Sequence, residues 1–181
     1  VPTQEIKRHL MKEGTRAEDI LVTGIPVRQQ FLDADYRQKW ERNRTRRVLI
    51  MGGGLGLMPD LKELLEKLHS MQGVESVVIT GKNHKIYEEW VNRYEDVEVL
   101  GYTENISRYM RGADLVITKA GGITLFEILH SQVPLFVIHP FLEQEMNNAR
   151  YAAEKGFAKV IWGRREDYIL ELEKLLSDEK M

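Results

Sequence analysis

The stretch TKAGGITLFE, residues 118–127, sets two glycines, a hydroxyl and a carboxylate where an apolar run gives way to helical spacing. Backbone amides freed at a strand–helix turn, with the positive end of the helix behind them, favour an anion such as a phosphate. Gly121 and Gly122 let a ligand close on the backbone, and Thr124 is placed to cap the helix or to touch phosphate. Glu127 stands five residues after Gly122. That is about one and a half helical turns, and the side chain points back toward the helix start. A carboxylate there accepts from two vicinal hydroxyls, as on a ribose. It serves equally as a partner of its own helix dipole, worth about 0.3–1 kcal/mol. Spacing alone leaves both roles open.

A second glycine element, GGGLG at 52–56, follows the apolar run VLIM and precedes a helix begun near Pro59. Glycines at such turns also serve tight packing. Two such elements on one rim of a sheet favour a nucleotide diphosphate. A nicotinamide fingerprint does not fit. Gly54 and Gly56 could begin it, but Pro59 holds the third glycine position, and the next strand ends at Thr80 where an acid should take the ribose. A Walker loop fails as well, because Gly81-Lys82 is followed by Asn83. Further on, HPFLEQEMNNA (139–149) crowds Glu143, Gln144, Glu145, Asn147 and Asn148 at a helix start. Amides and carboxylates are the usual partners of sugar hydroxyls, and N-capping needs only one of the five. His139 reads as a strand-end residue, since no second His or carboxylate stands at metal spacing with it. The other histidines, His9, His69, His84 and His130, read as structural or exposed, and no metal site is expected.

These residues need elements to carry them. From position 48 short apolar runs alternate with helical patterns. Strands are expected at 48–52, 74–81, 97–102, 114–119, 134–140 and 158–162. Helices are expected at 58–71, 83–94, 105–113, 123–131, 143–156 and 165–178, with Gly156 as a left-handed C-cap. Such alternation predicts an α/β fold, a Rossmann-like doubly wound parallel sheet with helices on both faces. Ligands then lie beyond the carboxyl ends of the strands. Ahead of it, 5–14 reads as an amphipathic helix with a Gly stop, and DILVTGIPV (19–27) as a strand. Residues 28–47 hold seven Lys or Arg against three Asp or Glu, and read as linker and solvated helix. Their excess charge and their aromatics Phe31, Tyr36 and Trp40 also allow contact with an anionic lipid surface.

The totals bound the rest. The chain has 181 residues and a formal net charge of −2, which gives no reason to expect nucleic acid as a partner. It has no cysteine, so disulfides and thiolate metal sites are excluded. No apolar run approaches the roughly 18 residues of a membrane-spanning helix. The first residue is Val, and the expectation is a piece of a longer protein.

Taken together, VTGIPVRQQF (22–31), MGGGLGL (51–57), GYTENISRYM (101–110), TKAGGITLFE (118–127) and EQEMNNA (143–149) resemble the nucleotide-sugar-binding domain of a lipid glycosyltransferase. The resemblance is to processive diacylglycerol glucosyltransferases and plant-type monogalactosyldiacylglycerol synthases, and more distantly to the peptidoglycan N-acetylglucosaminyltransferase. It implies one half of a two-domain GT-B enzyme. Residues 1–27 would end an N-terminal acceptor domain, 28–47 would be the linker, and 48–181 would bind UDP-glucose or UDP-galactose as donor, with no cofactor. By resemblance, Gly53 and Gly54 face the diphosphate, and Gly121, Gly122 and Thr124 bind it from the other side. Glu127 holds the ribose, Arg28 stands near the nucleotide, and the uracil rests on backbone around Gly101 to Thr103. Gln144, Glu145 and Asn148 face the sugar, although Leu142 and Glu143 replace a Pro-Gly pair of the family pattern, and Ala120 stands where many relatives have Pro. The implied reaction is inverting hexosyl transfer to diacylglycerol on the cytoplasmic side, peripheral to the membrane. The general base is expected in the acceptor domain, and this piece alone is expected to be inactive. The rivals are a non-catalytic UDP-sugar-binding regulatory module, a UDP-N-acetylglucosamine epimerase-like enzyme, which shares the architecture, and a peptidoglycan N-acetylglucosaminyltransferase-like enzyme.

Overall fold

The computed structural model describes residues 1–32, 45–58, 60–162 and 165–177; side chains 165–167 are outside the description. Six strands form one sheet: β1 Arg46–Met51, β2 Val74–Ile79, β3 Val97–Leu100, β4 Leu115–Thr118, β5 Leu135–Ile138 and β6 Ala158–Ile161. Every pairing is parallel, in the order β3-β2-β1-β4-β5-β6. The chain runs outward in one direction from β1 to β3, then crosses back to β4 and runs outward the other way. The reversal puts a crevice between β1 and β4, where Met51 and Thr118 lie side by side as the last residues of their strands. The Thr118 hydroxyl donates to the Met51 carbonyl at 2.8 Å and fixes the two strand ends together.

Period-two alternation assigns the core. Val48 and Ile50 face one layer with Leu64, Leu65 and Leu68 of α2 (Leu61–His69), Trp90 of α3 (His84–Trp90), and Tyr168 and Leu172 of α7 (Arg165–Ser177). Leu49 and Met51 face the other layer. There they meet Ile106 and Met110 of α4 (Ile106–Arg111), Leu125 and Ile128 of α5 (Gly122–Ser131), and Ala149 and Ala152 of α6 (Glu143–Glu154). Both faces of the sheet are therefore covered, which is why its strands read as continuous apolar runs. Gly156 follows α6 at φ +75, as its C-cap reading requires. Among the described residues no helix is long and apolar enough to cross a membrane.

The segment ahead of the sheet departs from expectation. Helix α1 (Gln4–Lys12) forms, capped by the Thr3 hydroxyl accepting from the Ile6 amide, but it buries no residue. Residues 19–27 form no strand: a strand needs a ladder partner, and none of the six lies beside them. Leu21 is 74 % exposed as a result. The start of 28–47 is only partly solvated: Arg28, Gln29 and Leu32 are exposed, but Phe31 is not. A 3-10 turn at Gln29–Phe31 buries Phe31 against α4 and α5, and Arg111 donates to the Gln30 carbonyl at 2.8 Å. Phe31 is thus a core residue, not a lipid contact; Tyr36 and Trp40 lie outside the described residues.

Candidate functional site

The glycine loop after β1 divides its glycines between two tasks. Gly56 sits at φ +60, and a Cβ there would run into the Thr80 carbonyl; this glycine lets the loop pack on the end of β2. The Gly54 carbonyl accepts from the Lys82 amide at 3.3 Å, across the same contact. Gly53 and Gly54 instead face open space, where an added Cβ would meet nothing. The packing reading of this loop therefore holds at Gly56, while Gly53 and Gly54 leave open space beside the backbone. Pro59 lies outside the described residues.

Across the crevice, α5 starts at Gly122 with Gly121 as its N-cap, and no side chain caps it. Its first amides are left for a ligand or water. Thr124 lies in the first turn and does not cap the helix, so that alternative falls away. Asn148 turns from α6 and donates to the Ala120 carbonyl at 2.9 Å, tying the 119–121 loop to α6. In this structure it braces the loop ahead of α5, with its amide beside Gly122. Helix α6 also lacks a side-chain N-cap; Glu145 accepts from the Phe141 amide at 3.4 Å, while Gln144 is exposed. After β3, Gly101 and Thr103 sit on the same rim, and Thr103 accepts from the Asn105 amide at 3.2 Å.

Glu127 meets a partner that its spacing did not suggest. Arg28 reaches it across 99 residues and makes a bidentate pair, Nε to Oε1 at 2.7 Å and Nη2 to Oε2 at 2.9 Å. The glutamate side chain is 3 % exposed and the arginine 50 %. The carboxylate raises the affinity of Arg28 for its proton further above an already high value, against the opposing effect of burial, so the guanidinium stays charged. The Arg28 guanidinium also lies over the Phe31 ring, 5.3 Å from its centre. Sequence reasoning placed both residues at the site but missed their pairing. The available signal was that a carboxylate on the inward side of a helix between Leu125 and Ile128 requires a cation.

A second feature went unread. His139, first after β5, and Asp60, at the N-cap of α2, both adopt left-handed backbone, φ +48 and +52. His139 Nε2 is buried and lies 3.7 Å from Asp60 Oδ2, and its ring meets Tyr168 edge-on at 5.5 Å. The expected strand-end histidine thus links the rim after β5 to the start of α2.

A doubly wound parallel sheet in 3-2-1-4-5-6 order, with an uncapped helix start and open glycines at its topological switch point, makes this a Rossmann-like α/β domain. Residues 47–180 match the model of the glycosyltransferase family 28 C-terminal domain, and the chain belongs to that family. It is 36 % identical over 193 residues to a processive diacylglycerol beta-glucosyltransferase of Bacillus licheniformis, across 99 % of this chain and 49 % of that protein. The chain thus spans about half the length of the curated relatives it matches. Among solved structures, a UDP-N-acetylglucosamine 2-epimerase shares the fold with a TM-score of 0.66 at 18 % identity, over 98 % of this chain and 48 % of that one. The spinosyn rhamnosyltransferase SpnG, complexed with thymidine diphosphate, shares it with a TM-score of 0.60 at 20 % identity, over 76 % and 38 %.

Proposed function

We propose that this chain is the donor half of an inverting hexosyltransferase, binding UDP-glucose or UDP-galactose at the β1–β4 crevice for transfer to diacylglycerol. The observation that carries it is the uncapped start of α5 facing the open Gly53 and Gly54 across the switch point. Amides of Gly122 and Thr124 take the diphosphate from one side, with Gly121 leaving room at the N-cap while its own amide donates to the Lys119 carbonyl, and the 53–54 backbone takes it from the other. Glu127 and Arg28 serve the nucleoside, with uracil along Gly101 to Thr103. Gln144, Glu145 and Asn148 lie toward the hexose. SpnG holding a nucleoside diphosphate on the same fold supports this choice of ligand.

The reaction joins an acceptor oxygen to the anomeric carbon as the bond from that carbon to the diphosphate oxygen breaks. The bonding pair leaves on the diphosphate, and a general base takes the acceptor proton. Fixed amides at a helix start stabilise the growing negative charge without reorganising. The base belongs to the acceptor half. Residues 1–27 are the end of that half: an amphipathic helix with no buried residue and an exposed Leu21 fit a segment whose packing partner lies elsewhere. Diacylglycerol in the relatives' names supports work at a membrane surface, which we place on the cytoplasmic side. The test is calorimetric titration of the 181-residue chain with UDP, UDP-glucose, UDP-galactose and UDP-N-acetylglucosamine. Saturable binding of UDP, with a preference for one of the first two sugars, is expected. No heat and no thermal shift at millimolar UDP would remove the reading.

A further inference from the structure

Both oxygens of the 3 % exposed Glu127 already accept from Arg28. A ribose arriving at that carboxylate therefore meets an occupied acceptor. Arg28 is the half of the pair that faces water, and the fork it gives to Glu127 leaves its remaining N–H groups for another acceptor. Its backbone is anchored: Phe31 is buried beneath it, and Arg111 holds the Gln30 carbonyl. Only the end of the side chain is at liberty. The start of α5 is near. Glu127 lies about 7.5 Å along the axis from Gly122 at about 1.5 Å per residue, and its side chain leans back toward that start. The guanidinium is thus within a side-chain swing of the uncapped amides.

We infer that Arg28 is a phosphate-operated cover on the Glu127 carboxylate, exchanging that carboxylate for the ligand's diphosphate as the ribose hydroxyls take its place. The inference rests on reading the rim as a nucleoside-diphosphate site. A diphosphate offers the guanidinium more negative charge than one carboxylate and the same bidentate match. A buried carboxylate is not left without a partner, so the arginine departs as the hydroxyl donors arrive. Two N–H donors on Glu127 are replaced by two O–H donors, and the donor count at the carboxylate is conserved. Either part of the ligand alone is at a disadvantage. A nucleoside must displace Arg28 with nothing to receive it, and a free diphosphate must draw Arg28 away with nothing to replace it. Ribose and diphosphate are therefore coupled, and the site selects nucleoside diphosphates over nucleosides by more than the phosphate contacts themselves.

The experiment separates the two parts of the ligand. Uridine is titrated into the 181-residue chain with and without saturating pyrophosphate, and pyrophosphate with and without saturating uridine. Each should raise the affinity of the other by the same factor, about 5-fold or more, because linkage is reciprocal. In Arg28→Gln the factor should collapse to about 1, and Arg28→Lys should retain part of it, as a point charge without the fork. Independent binding in the wild type, with UDP still bound, overturns the cover and leaves the rim reading standing. Coupling undiminished in Arg28→Gln overturns it also, by placing the linkage elsewhere. Failure of UDP itself to bind removes the rim reading and the cover together. The wild-type arm decides even where a variant folds poorly.

Discussion

Truncating the two ends of the Arg28–Glu127 pair should have unequal effects on stability, because the two ends differ in exposure. Arg28→Ala leaves a carboxylate that is 3 % exposed, packed between the sheet and α5, without its cation. Breaking a buried pair from one side costs about 3–5 kcal/mol. Glu127→Ala leaves a guanidinium that is 50 % exposed and hydrates where it stands. Its loss should fall in the range of surface pairs, about 0–1 kcal/mol, plus a small packing term. For a chain of this size 1 kcal/mol moves the melting temperature by roughly 2–4 °C. Arg28→Ala should therefore melt about 6–20 °C below the wild type, and Glu127→Ala no more than about 4 °C below. The double variant Arg28→Ala/Glu127→Ala removes the stranded charge and should be more stable than Arg28→Ala alone, a non-additivity that thermal or urea unfolding measures directly. Equal losses from the two single variants, or a double variant at the sum of both, would refute the claim that Glu127 is a buried charge dependent on Arg28.

Further outcomes follow from the same geometry. Glu127→Ala should weaken UDP about tenfold, or about 1.4 kcal/mol; two fresh charge-assisted bonds would give about 2–4 kcal/mol, but Glu127 exchanges Arg28 for the ribose rather than gaining partners. Against that variant, 2′-deoxy-UDP should lose little more, and calorimetry with both ligands checks it. Gly56→Ala should destabilise the fold by about 1–3 kcal/mol through its clash with the Thr80 carbonyl, whereas Gly54→Ala should leave the melting temperature unchanged and weaken UDP. Gln144→Ala and Glu145→Ala should weaken UDP-sugar and spare UDP, by roughly 0.5–1.5 kcal/mol for each neutral bond and more for the charged one; equal losses for both ligands would move these residues off the sugar. Asn148→Ala frees the Ala120 carbonyl and should lower affinity for UDP itself, read in the same titrations.

The sheet was legible because its signals are local. Runs such as VLIM and DLVIT are bounded by glycines and helical spacing, so all six strands and the six helices of the sheet domain fall within a few residues of their expected places. The rim could also be located, since parallel α/β topology sends every βα turn to one edge. What escaped depended on contacts distant in sequence. Residues 19–27 have strand composition, but composition supplies no ladder partner. Phe31 stands in a polar, basic stretch, and only the surfaces of α4 and α5 make it core. The carboxylate of Glu127 was found by its spacing from Gly122, yet its partner is 99 residues away. Left-handed backbone at His139 and Asp60 is uncommon even for the Asp and His types that favour it, so residue type alone did not mark it.

Where the rim residues are rooted also bears on how the protein can change over generations. The two glycine loops at the crevice leave β1 and β4, the two innermost neighbours of the sheet, while the Gln144–Glu145 corner hangs from β5 and α6 farther out. Asn148 joins the two through one carbonyl, at Ala120. On the proposed reading, a substitution at the outer corner can therefore alter which hexose is accepted while the inner strands keep the nucleotide grip. Leu142 and Glu143 lie on the outer side of that boundary, so under that reading a change of sugar leaves the diphosphate leaving group untouched.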